Sequence, residues 1–405
     1  MVPSAVGLIA ITFGLARYGY GLLLPDMRDD LGMGAATAGL IGSSAYVSYL
    51  LANVVVVPMT ARWGPRIPLA AATVTACSGM ALVAGARDVT ALAAGVLLAG
   101  SGAGFAFPPY ADVVARAVAP ERRTTAWAAI SSGTGWGVAL AGPVAVISAA
   151  SWRWSWSLFA VIGLVVGALA VASVPPDRGA TGGPVVRLRP AWFVCPRSGP
   201  LLAGAVLVGA GSSVWWAFSV DAMRAAGLDA TTSRLLYALC GVAGVVASLT
   251  GSLVRRAGQR RVHQGSVLAV AVSLLLLAVS AMLDAPHLSP LLVASGLFGI
   301  SYNAVIAVQG MWNADVFSER PSAGLAAVNA ALTAGTLLGP AVGGAVIELF
   351  GYGPALVGAA GVSAVAFVLA PPAGPHGLGP RDAARGHRAA GALLRRPRPP
   401  VGIPS

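Results

Sequence analysis

Lysine is missing from this 405-residue chain, and all 26 basic residues are arginine. Acidic residues number only 14, and charged residues together reach 10%, where soluble chains carry about 25%. With 57% hydrophobic residues and a mean hydropathy of +0.78, there is too little polar surface to coat a water-soluble body. That excludes an ordinary cytosolic enzyme and a disordered protein alike. Cys77, Cys195 and Cys240 lie far apart, so they form neither a disulfide framework nor a zinc knuckle. The four histidines fall in loops or near the C-terminus, and no Ser/His/Asp order or phosphate loop sits beside them. Neither an enzyme nor a cofactor or metal site is expected.

Long apolar runs are what the chain has instead. Six segments of spanning length, beginning with Pro3 to Leu24 and ending with Trp154 to Val174, precede a Pro- and Gly-rich stretch, and six more run from Pro200 to Ala370. The expected architecture is an all-α integral membrane protein with 12 transmembrane helices in two six-helix bundles. Residues 1–174 would form the first bundle, 175–198 a flexible linker, 199–371 the second bundle and 372–405 a disordered tail. The opening apolar segment has no basic flank or cleavage site before it, and reads as a retained helix.

The arginines set the expected orientation. Of the 26, 20 fall in the loops after even-numbered segments, the linker and the tail, against 5 in the opposite loops, with Arg17 alone inside a span. Basic loops stay in the cytoplasm, so both termini are placed inside a multi-pass plasma-membrane protein. The net charge of +12 is thereby explained by topology, and nucleic acid is not expected as a partner.

An internal repeat relates the halves. Gly64 and Gly258 lie 194 residues apart, Glu121-Arg122 and Glu319-Arg320 198, and Gly142-Pro143 and Gly339-Pro340 197. Six being even, the repeat implies a pseudo-twofold axis along the membrane normal. On these features the chain resembles the major facilitator superfamily, whose loop signature is G-x-x-x-D-R-x-G-R-R. The second-half loop keeps Gly251, Arg256, Gly258 and Arg260, with Arg255 at the acidic position, and the first-half loop keeps Arg62, Gly64 and Arg66. The resemblance implies that these residues are cytoplasmic gating loops, with a latch weakened by loss of its carboxylate. Phe13 through Pro25, followed by Asp26-Met27-Arg28, is similar to the opening of the YbfB/YjiJ branch. Gly335, Gly339, Pro340, Gly343 and Gly344 resemble the family's antiporter motif, displaced into the eleventh segment, where they serve close helix packing.

Intramembrane charge is costly and needs a reason. Arg17 therefore leads the candidate substrate site, as a planar fork matched to carboxylate or phosphate. Applying the repeat brings Ser213 and Trp215 to its depth, and Tyr20, Asn303 and Trp312 complete the expected set, with Ser213 and Asn303 orienting the ligand and the aromatics flanking it. Asp112 and Asp221 are the proton-coupling candidates, with protons as the possible coupling ion. The expected function is secondary active transport of a small organic anion by a monomer in the lipid bilayer, through alternating access. The alternative is multidrug or natural-product efflux of neutral or cationic compounds, with Arg17 paired structurally to Asp221 or to carbonyls.

Overall fold

The computed structural model describes residues 1–148, 151–174, 195, 197–283 and 287–372. The expected tail, apart from Pro372, and most of the expected linker lie outside them. Among these residues twelve long helices follow in order: α1 (Val2–Leu31), α2 (Ala35–Trp63), α3 (Arg66–Ala84), α4 (Val89–Ala117), α5 (Arg123–Ile147) and α6 (Trp152–Ala172), then α7 (Gly199–Ala225), α8 (Ala230–Ala257), α9 (Gln259–Met282), α10 (Leu288–Val316), α11 (Pro321–Phe350) and α12 (Tyr352–Val365). Eleven are long and apolar enough to cross a membrane, and α12 is shorter. Several run past their expected ends, because polar residues such as Asp26 to Asp30 continue the α1 spiral beyond the apolar stretch.

Turns between helices form where the backbone needs a left-handed residue. Gly64 closes α2 at φ 72° and Gly258 closes α8 at φ 87°, a region that L side chains rarely enter. The repeat thus conserves a backbone requirement at these two positions. Elsewhere the helices carry local departures. Ala10–Tyr18 of α1 is π-helical, and Val245–Leu249 is a 3-10 interruption within α8. Such segments shift the register of every side chain beyond them.

The two ends of the molecule are packed differently. At the face where α1 begins and α12 ends, the terminal face, buried side chains fall into separate clusters. One is built from Leu8, Leu69, Tyr110 and Ile130, and the others around Leu201 and Trp312 and around Val208 and Val305. Toward the opposite, far face, one cluster runs through both halves, joining Leu22, Ala38 and Val138 to Trp216, Tyr237 and Leu356. The halves meet along α2 with α11, α5 with α8 and α1 with α7. Backbone approach there is close enough that a Cβ at Gly39 would collide with the Pro340 carbonyl, and one at Gly21 with the Trp216 carbonyl. The halves are therefore sealed at the far face and separate toward the terminal face.

Candidate functional site

Beneath the far-face seal lies a narrow recess between α1, α2, α4, α7 and α11, its enclosed part about the size of one water. Arg17, Tyr18, Tyr20, Tyr46 and Trp216 form its wall, with Pro340 and Val96 among the apolar contacts. The π-helical register of α1 ends at Tyr18 and places Arg17 against this space. Its guanidinium carbon lies 4.3 Å from the Tyr46 ring centroid and 4.6 Å from that of Tyr49, with Phe13 and Tyr18 farther out. These cation–π contacts offset part of the cost of holding charge in an apolar setting. Arg17 makes no ion pair among the described residues, and its enclosed Nε has no hydrogen-bond partner. The ring faces hold the cation, and Nε is left as an unused donor.

Tyr20 is buried in the recess wall and its hydroxyl donates to the Ala38 carbonyl at 2.8 Å, tying α1 to α2. Trp216 forms the roof. It packs 4.4 Å from Tyr18 and contacts Tyr237, Phe298 and Tyr302 edge-on. The Tyr237 hydroxyl donates to the carbonyls of Tyr18 and Trp216 at 2.9 and 3.2 Å, so one side chain of α8 clamps α1 to α7. Beside the recess, the Ser43 hydroxyl donates to the Leu337 carbonyl at 2.7 Å and accepts from the Ala341 amide at 3.1 Å. These are the two groups of one α11 turn at Pro340, where the ring disturbs the helical ladder.

Of the sequence-derived binding set, Arg17 and Tyr20 line the recess and four residues do not. Ser213 is fully buried against Gly339 and donates to its own helix at Ala210. Trp215 stacks on Phe298 at 4.5 Å, away from the recess. A helix turns 100° per residue, so an offset uncertain by one residue exchanges Trp215 for Trp216. Asn303 donates to Gly299 at 2.9 Å and packs against Gly244, beside the break in α8. Trp312 lies near the terminal end of α10, with His263 at its edge. The proton-coupling candidates also separate. Asp112 is exposed on α4, and Asp221 is buried in an ion pair with Arg28, not with Arg17.

That ion pair belongs to a lattice of charge across the far face. Arg28 of α1 donates to Asp221 of α7 and, at 2.8 Å, to the Tyr352 hydroxyl, which in turn donates to Asp221 at 2.7 Å. In the opposite sense, Arg224 of α7 donates to Asp26 of α1 at 2.7 Å, and Arg234 of α8 donates to the same carboxylate at 2.9 Å. Each half thus lends an acid to the other half's arginine. Arg234 also donates to the Ala145 carbonyl of α5. At the α2 end, Glu348 accepts from the Ala36 amide at 2.8 Å, an anion supplied from α11 to a helix N-terminus that lacks a side-chain cap. The sequence signal for the crossed pairs was available, since Met27-Arg28 and Met223-Arg224 lie 196 residues apart, close to the repeat offset.

At the terminal face the gating-loop residues stand without ion pairs among the described residues. Arg62, Arg256 and Arg260 are exposed, Arg66 donates to the Val171 carbonyl at 3.2 Å, and Gly251 is half-buried in α8.

A polytopic helical membrane protein whose repeated halves enclose a recess, sealed at one face by reciprocal contacts, is built as a transporter and not as an enzyme. The model of the Major Facilitator Superfamily matches residues 6–289 and 200–401, and the chain belongs to that family. Its members bind small-molecule substrates within the membrane. No curated protein matches the sequence. Among solved structures, a mutant of the nucleoside transporter NupG is similar over 91% of this chain and 98% of its own, at 15% identity and a TM-score of 0.77. A bacterial homolog of the human lysosomal transporter Spinster, in an inward-facing and occupied conformation, is similar over 99% and 98%, at 15% identity and a TM-score of 0.67. At that identity the likeness is one of fold.

Proposed function

We propose that the chain is a secondary active transporter that carries a small organic anion across the plasma membrane by alternating access. The observation that carries the anion reading is Arg17. Among the described residues it is the one charged group in the recess wall, its faces lie against tyrosine rings, and its Nε is unbonded. A guanidinium so held recognises a carboxylate or phosphate in its own plane. A fixed positive charge in the recess disfavours cationic drugs, which weighs against the efflux alternative.

Alternating access is supported by the unequal ends of the molecule. Residues 1–174 and 199–371 are proposed as the two moving bodies, and the arginine asymmetry assigns the terminal face, and so both termini, to the cytoplasm. The conformation described here then faces inward, with the crossed pairs Arg28–Asp221 and Arg224–Asp26 as the outer gate. Opening outward must break both pairs and re-form contacts at the cytoplasmic loops around Arg62, Gly64, Arg66, Gly251, Arg256, Gly258 and Arg260. Asp221 would couple to protons only when that gate opens and frees it from Arg28. The likeness of Phe13 to Arg28 to the YbfB/YjiJ branch is retained as the proposed subfamily, and the working unit as a monomer.

The test is counterflow in proteoliposomes across a panel of anionic and neutral solutes, with Arg17→Lys and Arg17→Ala at matched insertion. Lys keeps the charge and loses the fork, so partial transport by Lys and none by Ala is expected. Full transport of an anion by Arg17→Ala would refute the assignment.

A further inference from the structure

The recess is poor in the groups that a polyhydroxylated ligand would require. Beyond Arg17, its polar side-chain atoms are the hydroxyls of Tyr18, Tyr20 and Tyr46 and the Trp216 Nε1, which is buried without a partner, and the hydroxyl of Tyr20 is already donated to Ala38. A buried sugar or ribose hydroxyl without a partner loses its hydration for nothing. The remaining wall is ring surface, glycine, alanine, Val96 and Pro340. One positive charge, three phenols and an indole therefore set the chemistry of the site.

A second observation extends the pattern toward the open face. Tyr49 meets Phe13 at 6.0 Å, Phe13 meets Phe107 at 5.9 Å, and Phe107 meets Trp127 at 4.9 Å, all edge-to-face. All four side chains are half-buried. They descend from Arg17 through α2, α1 and α4 to the first turns of α5 at the terminal face. An aliphatic lining would bury the same area without the ring quadrupoles, which favour offset or edge-on aromatic partners.

We infer that the transported anion is a flat aromatic monocarboxylate, held by the Arg17 fork where the Tyr20, Tyr46 and Trp216 side chains part to admit its ring, and released along the Tyr49–Phe13–Phe107–Trp127 ladder. This rests on the reading of Arg17 as the anion anchor. A second carboxylate would enter the recess without a cationic partner, since the wall contains no other charged residue among those described. Dianions are excluded for that reason.

The experiment is equilibrium binding of radiolabelled benzoate to the purified full chain, with cyclohexanecarboxylate, terephthalate and benzamide as competitors. Cyclohexanecarboxylate keeps the charge and removes the flat ring, terephthalate adds a charge, and benzamide removes it. Benzoate is expected to bind, with cyclohexanecarboxylate weaker by about 2- to 10-fold, the scale of one aromatic contact, and terephthalate and benzamide weaker by more than about tenfold, the scale of one unpaired charge. Trp216→Leu and Tyr46→Leu should narrow the gap between benzoate and cyclohexanecarboxylate, while Trp216→Phe keeps it, which guards against a variant that fails to fold. Equal competition by cyclohexanecarboxylate overturns the aromatic class and leaves the anion reading standing. Equal competition by terephthalate overturns the single charge. Equal competition by benzamide, with Arg17→Ala unaffected, overturns both readings, and folded protein that binds no benzoate overturns this inference alone.

Discussion

Removing the Asp26 carboxylate should open the far face. Asp26 accepts from Arg224 at 2.7 Å and Arg234 at 2.9 Å, so Asp26→Ala leaves two guanidinium groups without their acid. Arg234 keeps only 5% of its side-chain surface exposed, whereas Arg224 keeps 29% and Asp26 23%. Breaking a fully buried pair costs about 3 to 5 kcal/mol. Partial exposure and the surviving bond from Arg234 to Ala145 reduce this to about 2 to 3 kcal/mol. Because both pairs join α1 to the second half, that cost falls on the closed conformation, and the open population should rise by about 30- to 150-fold. The readout is labelling of Ala217→Cys, which lies in the recess beneath the seal, by a charged maleimide applied from the far side after Cys77, Cys195 and Cys240 are replaced. The labelling rate should rise in proportion to the open population. Arg153→Ala is the control, because Arg153 pairs with Asp30 inside the first half and its loss should leave the rate unchanged. An unchanged rate in Asp26→Ala, or an equal rise in Arg153→Ala, would refute the gate.

Charge order should be exchangeable across the interface. The double variant Arg28→Asp with Asp221→Arg should recover far-face closure that either single change loses, read by the same labelling. Gly21→Val places side-chain atoms on the Trp216 carbonyl and should hold the far face open, abolishing transport while the protein remains monodisperse in detergent. Glu348→Gln removes an exposed anion from the α2 N-terminus, a contribution of about 0.3 to 1 kcal/mol, so its labelling rate should rise by less than tenfold. Asp229 caps α8 by accepting from the Thr232 amide at 2.9 Å, and hydrogen bonds from the Thr232 side chain and then from that amide hold its carboxyl below the usual carboxylate range. A depressed value stabilises the fold above the unfolded-state value and is lost as pH falls through the folded one. The small loss of melting temperature in Asp229→Ala should therefore be present at neutral pH and vanish in acid.

The membrane class, the helical architecture and the repeat were legible in composition because each rests on sums over many residues. A deficit of charge, a count of apolar runs and an offset near 196 residues survive errors of a few positions. Gly64 and Gly258 were legible one by one, since each answers a backbone requirement that no other residue meets easily. Arg17 was legible because an isolated intramembrane charge is rare enough to stand out.

Helix rotation was not legible, and the candidate site depends on it. In a soluble helix the polar face marks the outside, but here lipid-facing and core-facing residues are equally apolar, so the sequence carries no stripe to set the angle. That is why Trp216, not Trp215, roofs the recess, and why Ser213, Asn303 and Trp312 point into packing. The π-helical segment of α1 adds a register shift that no residue pattern announced. The crossed pairs at the far face depend on tertiary structure for a different reason. Asp26, Arg28, Asp221 and Arg224 stand in the sequence as ordinary helix-end charges, and each gains its partner only when the two halves close on one another. The chain's composition decides that it spans a membrane in two related halves; the angles at which twelve nearly featureless helices pack decide which side chains meet.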